Sequence, residues 1–393
     1  MERRNRRVTV VSVDPWLDKP HGNSVLGIFR SLVDHGCAVS VLIPSGGLVE
    51  KRGHSFSVRT VKSKRTTFFG YFAFLFRAIM YAVSSKPDVL IFDTSLIPCF
   101  LCLKIISRIK GVMMILSRPL KQPGFKSWLK HFQFRLFLNL GSPFVDAFTA
   151  ISPFEVFEFS KLGHIRLEKF KIIPSPLGEG FRNINVPEDL NELRRSLGLN
   201  KLVKKRVLLY HGVLDDRRKL MSFLETFQKA CVEDDVILLL VGSGRSAHLV
   251  EEFIERNRPK NILFLGSMPY TKMPEIVASC DIGLVLLPNN LNWRNQTPTK
   301  LLEFLALNKP VIASDLAGIR WVAQKSPLVV YVKPLGNMTV GEFQGALREV
   351  GVKKTAAQTR FLNRSYSSQP FFDRFSSQFI AADLNRIIIS VKG

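Results

Sequence analysis

The sequence predicts an α/β protein of two doubly wound, Rossmann-like domains, each a parallel sheet covered by helices on both faces. Three observations lead there. The chain has 393 residues, roughly twice a common single domain. Short apolar runs alternate with longer stretches of helical periodicity, the order that builds parallel sheets. That alternation is interrupted once, by the polar stretch NINVPEDLNELRRSLGLNKLVKKR at 183–206, and then restarts. The expected domains are therefore 1–182 and 207–365, joined by a linker at 183–206. A helical segment at 366–393 packs back on the first domain.

In the first half, VTVVSV (8–13) reads as a buried strand. A loop with His21-Gly22-Asn23 leads to a helix near 24–35, which Gly36 closes before the strand AVSVLIP (38–44). DVLIFD (88–93), VMMIL (112–116), AFTAIS (147–152) and KIIPSP (171–176) read as further strands. In the second half, the strand VLLYHG (207–212) precedes a helix near 219–231, and VILLLVGSG (236–244) precedes one near 246–256. ILFLG (262–266), a short helix near 272–279, IGLVLLP (282–288) and VIAS (311–314) follow. The segment 371–391 has helical periodicity. Ligands of such sheets sit beyond the C-terminal strand ends.

The helix before VIAS carries the most information. In NQTPTKLLEFLALNKPVIASD (295–315), Thr297 reads as the N-cap and Pro298 as the first helical residue. Leu301, Leu302, Leu305 and Ala306 recur at core-facing spacing, and Asn308 with Pro310 ends the helix. Neither Lys300 nor Glu303 is needed for any of this. A helix start offers free N–H groups and a positive dipole end, which suit a phosphate. Lys300 opposes that dipole unless an anion is present.

Formal net charge is +24, which points to anionic partners. Over 51–135 there are 16 Lys or Arg against two acids, Asp88 and Asp93. The same span holds TTFFGYFAFLFRAIMYAV (66–83), IPCFLCLKIISRIKGVMMIL (97–116) and, running on to 140, FKSWLKHFQFRLFLNL. Aromatic and aliphatic residues interleaved with cations are the composition of helices that lie in a membrane interface. Arg77 and the missing polar cap argue against 66–83 spanning a bilayer. No nucleic-acid motif accompanies the charge, so nucleic acid is not an expected partner. Five cysteines, odd in number and irregular in spacing, exclude a disulfide framework and fit a reducing compartment. Asp215-Asp216 and Asp234-Asp235 are adjacent pairs that cannot easily share a cation, and there is no Asp-x-Asp, so no metal is expected.

LLYHGVLDDRRKLMSFLETF, LLLVGSG, ILFLGSMPYTKMPEIVASCDIGLVLLP and NQTPTKLLEFLALNKPVIASDLAGIRWV together resemble, in order, the nucleotide-sugar domain of GT-B glycosyltransferases. The likeness is greatest to the large family four of retaining enzymes. The first half resembles it more loosely, through the loop at Gly22, KPDVLIFD and DAFTAISPFEVFEFSKLG. The resemblance implies two domains facing a cleft, and a sugar moved from a nucleoside-diphosphate sugar, UDP or GDP, to a lipid-linked or cell-envelope acceptor.

On that resemblance Glu303 accepts from two ribose hydroxyls. Arg218 and Lys300, with the amides around Thr297–Thr299, stabilise charge growing on the leaving phosphate. Gly212, Gly242 and Gly244 form the turns beneath it, and Met268 with Pro269 flanks the base. Gly22 lets backbone approach the diphosphate from the first domain, and Arg118 occupies a cleft position after VMMIL. Asn295 falls where the family often has a first glutamate, and Val213 where an Arg is common. These two departures support an alternative, a catalytically inactive relative that binds a glycan or a partner. The expected location is cytoplasmic, peripheral on the inner face of a membrane.

Overall fold

The computed structural model describes residues 6–11, 22–45, 56–62, 68–93, 96–106, 109–114, 125–182, 184, 187, 189–231, 235–324, 326–361 and 373–392. The chain divides into two compact units, Met1–Pro176 with Asp373–Gly393, and Leu177–Phe372. The first contains β1 (Arg6–Val11), α1 (Gly22–Asp34), β2 (Cys37–Ser45), β3 (Ser57–Lys62), α2 (Phe68–Ser85), β4 (Val89–Asp93), α3 (Ile97–Ile106), β5 (Lys110–Met114), α4 (Phe125–Gly141), β6 (Ala147–Ala150), α5 (Pro153–Gly163) and β7 (Phe170–Ile172). The second contains α6 (Leu190–Ser196), β8 (Arg206–His211), α7 (Leu220–Ala230), β9 (Val236–Val241), α8 (Ala247–Asn257), β10 (Ile262–Phe264), α9 (Met273–Ser279), β11 (Ile282–Val285), α10 (Thr299–Ala306), β12 (Val311–Ser314), α11 (Ala317–Ala323), β13 (Val329–Val332) and α12 (Val340–Phe361). The C-terminal helix α13 (Ser377–Lys392) belongs to the first unit.

Both sheets are wholly parallel. The first has the order β3-β2-β1-β4-β5-β6-β7 and the second β10-β9-β8-β11-β12-β13. Each strand order reverses at one place, between β1 and β4 and between β8 and β11. Those are the points where a doubly wound sheet opens a crevice for ligands. Central strands covered on both faces are continuous apolar runs, as in VILLLV of β9. The first unit has a core on each side of its sheet. Phe74, Phe92, Phe100 and Phe148 lie under α2–α5, and Phe29, Leu32, Ile380 and Leu384 join α1 and α13 on the other face. In the second unit Leu208, Tyr210, Leu238 and Leu240 pack with Phe223, Phe227 and Phe343.

Local chemistry explains the element ends. Ser152 caps α5 by accepting from Glu155 N at 3.3 Å, with Pro153 at the first helical position. Gly36 takes a left-handed φ of +79° between α1 and β2. Three sequence expectations are corrected. The apolar-run reading passed over β3 and β13: SVRTVK alternates polar residues on an edge, and VVYV is only four residues long. The stretch read as a linker holds α6, which belongs to the second unit. There Arg194, buried, donates to Ser279 O, Leu202 O and Lys205 O and pairs with Asp281 at 2.7 Å. Gly22 is the first residue of α1 and not part of a loop.

Candidate active site

The switch point of the second sheet gathers the site. β8 ends on Tyr210-His211, and Gly212 follows with φ +116°. After β9, Gly242 and Gly244 have φ of +150° and +156°. A Cβ on Gly242 would stand 1.9 Å from Gly212 O, and one on Gly244 would stand 2.2 Å from Leu214 O. The two loops lie against each other, with Leu214 N donating to Ser243 O at 2.9 Å and Gly242 N to Gly266 O at 2.7 Å. These glycines therefore have a packing reason of their own: only a residue without a side chain lets the backbones meet.

α10 opens at Thr299. Pro298 is its N-cap residue, with φ −66° and ψ 123°, and no side chain caps the helix. That corrects the reading of Thr297 as the cap and Pro298 as the first helical residue: the extended ψ of Pro298 holds it outside the helix. The Thr297 hydroxyl is buried without a hydrogen-bond partner. Asn308 takes the left-handed conformation expected of it, φ +53°. The helix is seated by Gly283 of β11, where a Cβ would lie 2.4 Å from the Phe304 ring.

Lys300 and Glu303, one turn apart, are 6% and 3% exposed, so neither is a solvated surface charge. Lys300 Nζ lies 4.0 Å from the Tyr210 ring centroid and has no hydrogen-bond partner. Burial, followed by the Arg218 charge, holds its pKa well below the ordinary lysine range. Glu303 Oε1 accepts from Tyr270 Oη at 2.9 Å. Its Oε2 lies 3.3 Å from His211 Nε2, without hydrogen-bond alignment. Burial pushes the Glu303 carboxyl up to about 7 and the His211 ring down to about 3, so this contact is to a neutral imidazole. Arg218 stacks on Trp293, guanidinium to ring centroid 4.6 Å, and its Nε is buried without a partner. Trp293 Nε1 is likewise unpartnered, and the Tyr210 hydroxyl faces Arg218. Buried polar atoms are normally hydrogen-bonded, to protein or to ordered water, so this cluster makes the switch point the candidate site.

Arg217 is committed to Asp215, with Nε to Oδ1 at 2.8 Å, and that hydrogen bond holds the Asp215 carboxyl below its usual range. Arg218 of the same DDRRK run lies against Trp293 instead. Met268 is half-buried in the turn after β10, but the side chain reaching Glu303 from that turn is Tyr270. Asn295 lies where backbone packs on Gly318, whose Cβ would be 2.7 Å from Asn295 C. Gly22 lies in the first unit, and Arg118 lies outside the described residues. His211, Tyr270 and Trp293 were not expected at the site. The place of His211 at the C-terminal end of a switch-point strand was the available signal for it.

The Glu303 titration has a testable sign. The folded carboxyl keeps its proton up to about 7, against an ordinary value of 4.5. The native state therefore holds more protons between those values, and the contribution of Glu303 to stability is full below 4.5 and lost as pH rises to 7. His211, with its pKa lowered from 6.5 to about 3, acts with the opposite sign: its contribution is full above 6.5 and lost as pH falls to 3. Glu303→Gln removes the first effect alone. The melting temperature of wild type minus that of the variant is expected to fall from pH 4.5 to 7 and then level. A flat difference in scanning calorimetry across that window means an ordinary, solvated carboxyl.

Residues 205–336 match the model of the family described as Glycosyl transferases group 1. No curated protein matches the chain in sequence. Among solved structures, HepE from Anabaena, in complex with UDP and glucose, is similar over 98% of this chain and 100% of its own, with TM-score 0.75 and 16% identity. A glycosyltransferase from Rickettsia africae ESF-5 is similar over 98% of this chain and 99% of its own, with TM-score 0.72 and 13% identity. WaaG, a glycosyltransferase involved in lipopolysaccharide biosynthesis, is similar over 98% and 100%, with TM-score 0.66 and 14% identity. At such identities the likeness is one of fold. Residues 205–336 thus match the group 1 glycosyl transferase model, within a chain whose two-domain fold is of the GT-B kind.

Proposed function

We propose that the protein transfers a sugar, with retention and without a metal, from a nucleoside-diphosphate sugar to a lipid-linked or cell-envelope acceptor at a membrane surface. The observation that carries this reading is the set of buried, unpartnered groups around Glu303: Lys300 Nζ, Arg218 Nε and Thr297 Oγ1. Two cations and a hydroxyl suit a diphosphate, and the adjacent carboxylate suits ribose hydroxyls. In the reaction, an acceptor hydroxyl oxygen bonds to the anomeric carbon as the bond from that carbon to the diphosphate oxygen breaks. Negative charge grows on the leaving phosphate, which takes the hydroxyl proton. Arg218 and Lys300, fixed in place and shielded from water, stabilise that charge more than they stabilise bound donor. Glu303 holds the ribose and so fixes the diphosphate against them. That HepE holds UDP and glucose on the same fold supports a uridine or related donor. The basic, aromatic first unit supports a membrane-surface acceptor. Asn295, in place of the acid common in the resembling family, favours a second reading, a catalytically inactive relative that binds a glycan or a partner.

Calorimetric titration of UDP, GDP and ADP into the protein, with and without chelator, tests the proposal. One nucleotide is expected to bind, unchanged by chelation. Binding without any consumption of the matching nucleotide sugars would leave the inactive relative standing, and no binding at all would remove the transferase in favour of that relative.

A further inference from the structure

The first unit carries apolar surface that its fold leaves uncovered. α2 and α4 each pack against α3 over the Phe-rich core on one side of the sheet. An ordinary surface helix turns a polar face outward, but these do not. α2 presents Phe72, Phe76 and Met80 to solvent, four residues apart and so in one stripe. α4 presents Trp128, Phe132 and Leu136 at the same spacing, with Trp128 and Phe132 stacked at 5.5 Å. Ile105 of α3 is 86% exposed. Contiguous apolar surface of this kind marks an interaction site.

Charge selects the partner. The three helices carry five Lys or Arg residues, among them the exposed Arg77 and Arg135, and no Asp or Glu. A second copy of this face would set helices that carry cations against helices that carry cations and no Asp or Glu. An anionic lipid surface satisfies both properties: apolar side chains enter the acyl boundary while Lys and Arg meet phosphates. Among the described residues no helix is long and apolar enough to cross a membrane, so this layer would lie on the bilayer and not through it.

We propose that the outward face of α2–α4 docks on an anionic bilayer, with Trp128, Phe132, Phe72 and Phe76 entering the headgroup boundary. The inference deepens the membrane-surface acceptor proposed above and rests on it for its purpose, since docking would hold the first unit beside lipid-anchored acceptors. The test uses the full chain with vesicles containing phosphatidylglycerol and vesicles of phosphatidylcholine alone. Binding is expected to the former only. Acyl-brominated lipid is expected to quench tryptophan fluorescence in wild type but not in Trp128→Phe. Trp128→Ser with Phe132→Ser, and separately Phe72→Ser with Phe76→Ser, should each weaken vesicle binding at least ~10-fold. Nucleotide titration of the same variants should be unchanged, which shows that they fold. Wild type that binds nucleotide but no vesicle overturns this surface and leaves the transferase reading intact. Wild type that binds vesicles but no nucleotide does the reverse. A dimer in sedimentation that either double substitution dissolves overturns the proposal in favour of a self-interface.

Discussion

Glu303→Ala is expected to weaken nucleotide binding by about 10²-fold or more, and transfer with it. The magnitude follows from the hydrogen bonds that the carboxylate would make. Bonds to a charged group contribute roughly 1.5–3 kcal/mol each, and two ribose hydroxyls donating to one carboxylate reach about 3–6 kcal/mol. The geometry favours the lower part of that range, about 10²-fold. Glu303 is buried in α10, one oxygen accepts from Tyr270 at 2.9 Å, and the other faces a neutral His211. Burial has already raised the carboxyl to about 7, so a ligand offering two donors is expected to draw it into the charged form. Glu303→Gln keeps the shape and one acceptor oxygen, so it should lose less. Tyr270→Phe should lose about tenfold in KM, because it frees the carboxylate to rotate without removing it. Calorimetry on the three variants orders them. Wild-type affinity in Glu303→Ala would mean that the ribose is held elsewhere and that Glu303 is a core residue.

The parts of this site legible in the sequence are those that lie close along the chain. Lys300 and Glu303 fall three apart on a helix with a clear apolar pattern, so one face had to carry both. The cation conflict at the helix start was also visible, because dipole and side chain share one turn. What could not be read is what the fold assembles. Tyr270 reaches Glu303 across thirty-three residues, and Trp293 lies under an arginine from a different loop. Nothing local in PYTK or NWRN announces either contact. The misread cap at Thr297 has a similar cause. Thr-Pro-Thr satisfies capping rules in two registers, and the backbone of Pro298 decided between them. The strands show the same division. β8, β9 and β11 are apolar because both faces are covered, whereas β3 is an edge strand whose Arg59 and Lys62 conceal it. The segment 183–206 reads as a linker because it is polar. It is nonetheless anchored by one buried arginine, whose carbonyl acceptors no sequence pattern reveals.

Lys300→Met is expected to raise the stability of the free protein while lowering the transfer rate by about 10²–10³. The two effects have one origin. A buried ammonium without a hydrogen-bond partner loses its hydration, at a cost of several kcal/mol per ion. Its contact with the Tyr210 ring, at 4.0 Å, returns only about 1–2 kcal/mol of that. Arg218 adds like charge, and Glu303, half-protonated near neutral pH, offsets little of it. Methionine fills nearly the same volume with nothing to desolvate, so unfolding should become harder by about 1–4 kcal/mol. For the same reason the lysine is a strong ligand group: a diphosphate restores both its charge and its partners, most of all when leaving-group charge peaks. Donor binding should therefore favour proton uptake at Lys300, offset by release from Glu303, so the dependence of the calorimetric heat on buffer ionisation enthalpy should shift toward proton release in the methionine variant. A lysine present only for the fold would behave otherwise, its removal lowering the melting temperature and leaving donor binding intact. Stability and activity moving in opposite directions at one residue would identify Lys300 as a group held in an unfavourable place for the sake of the anion it meets there.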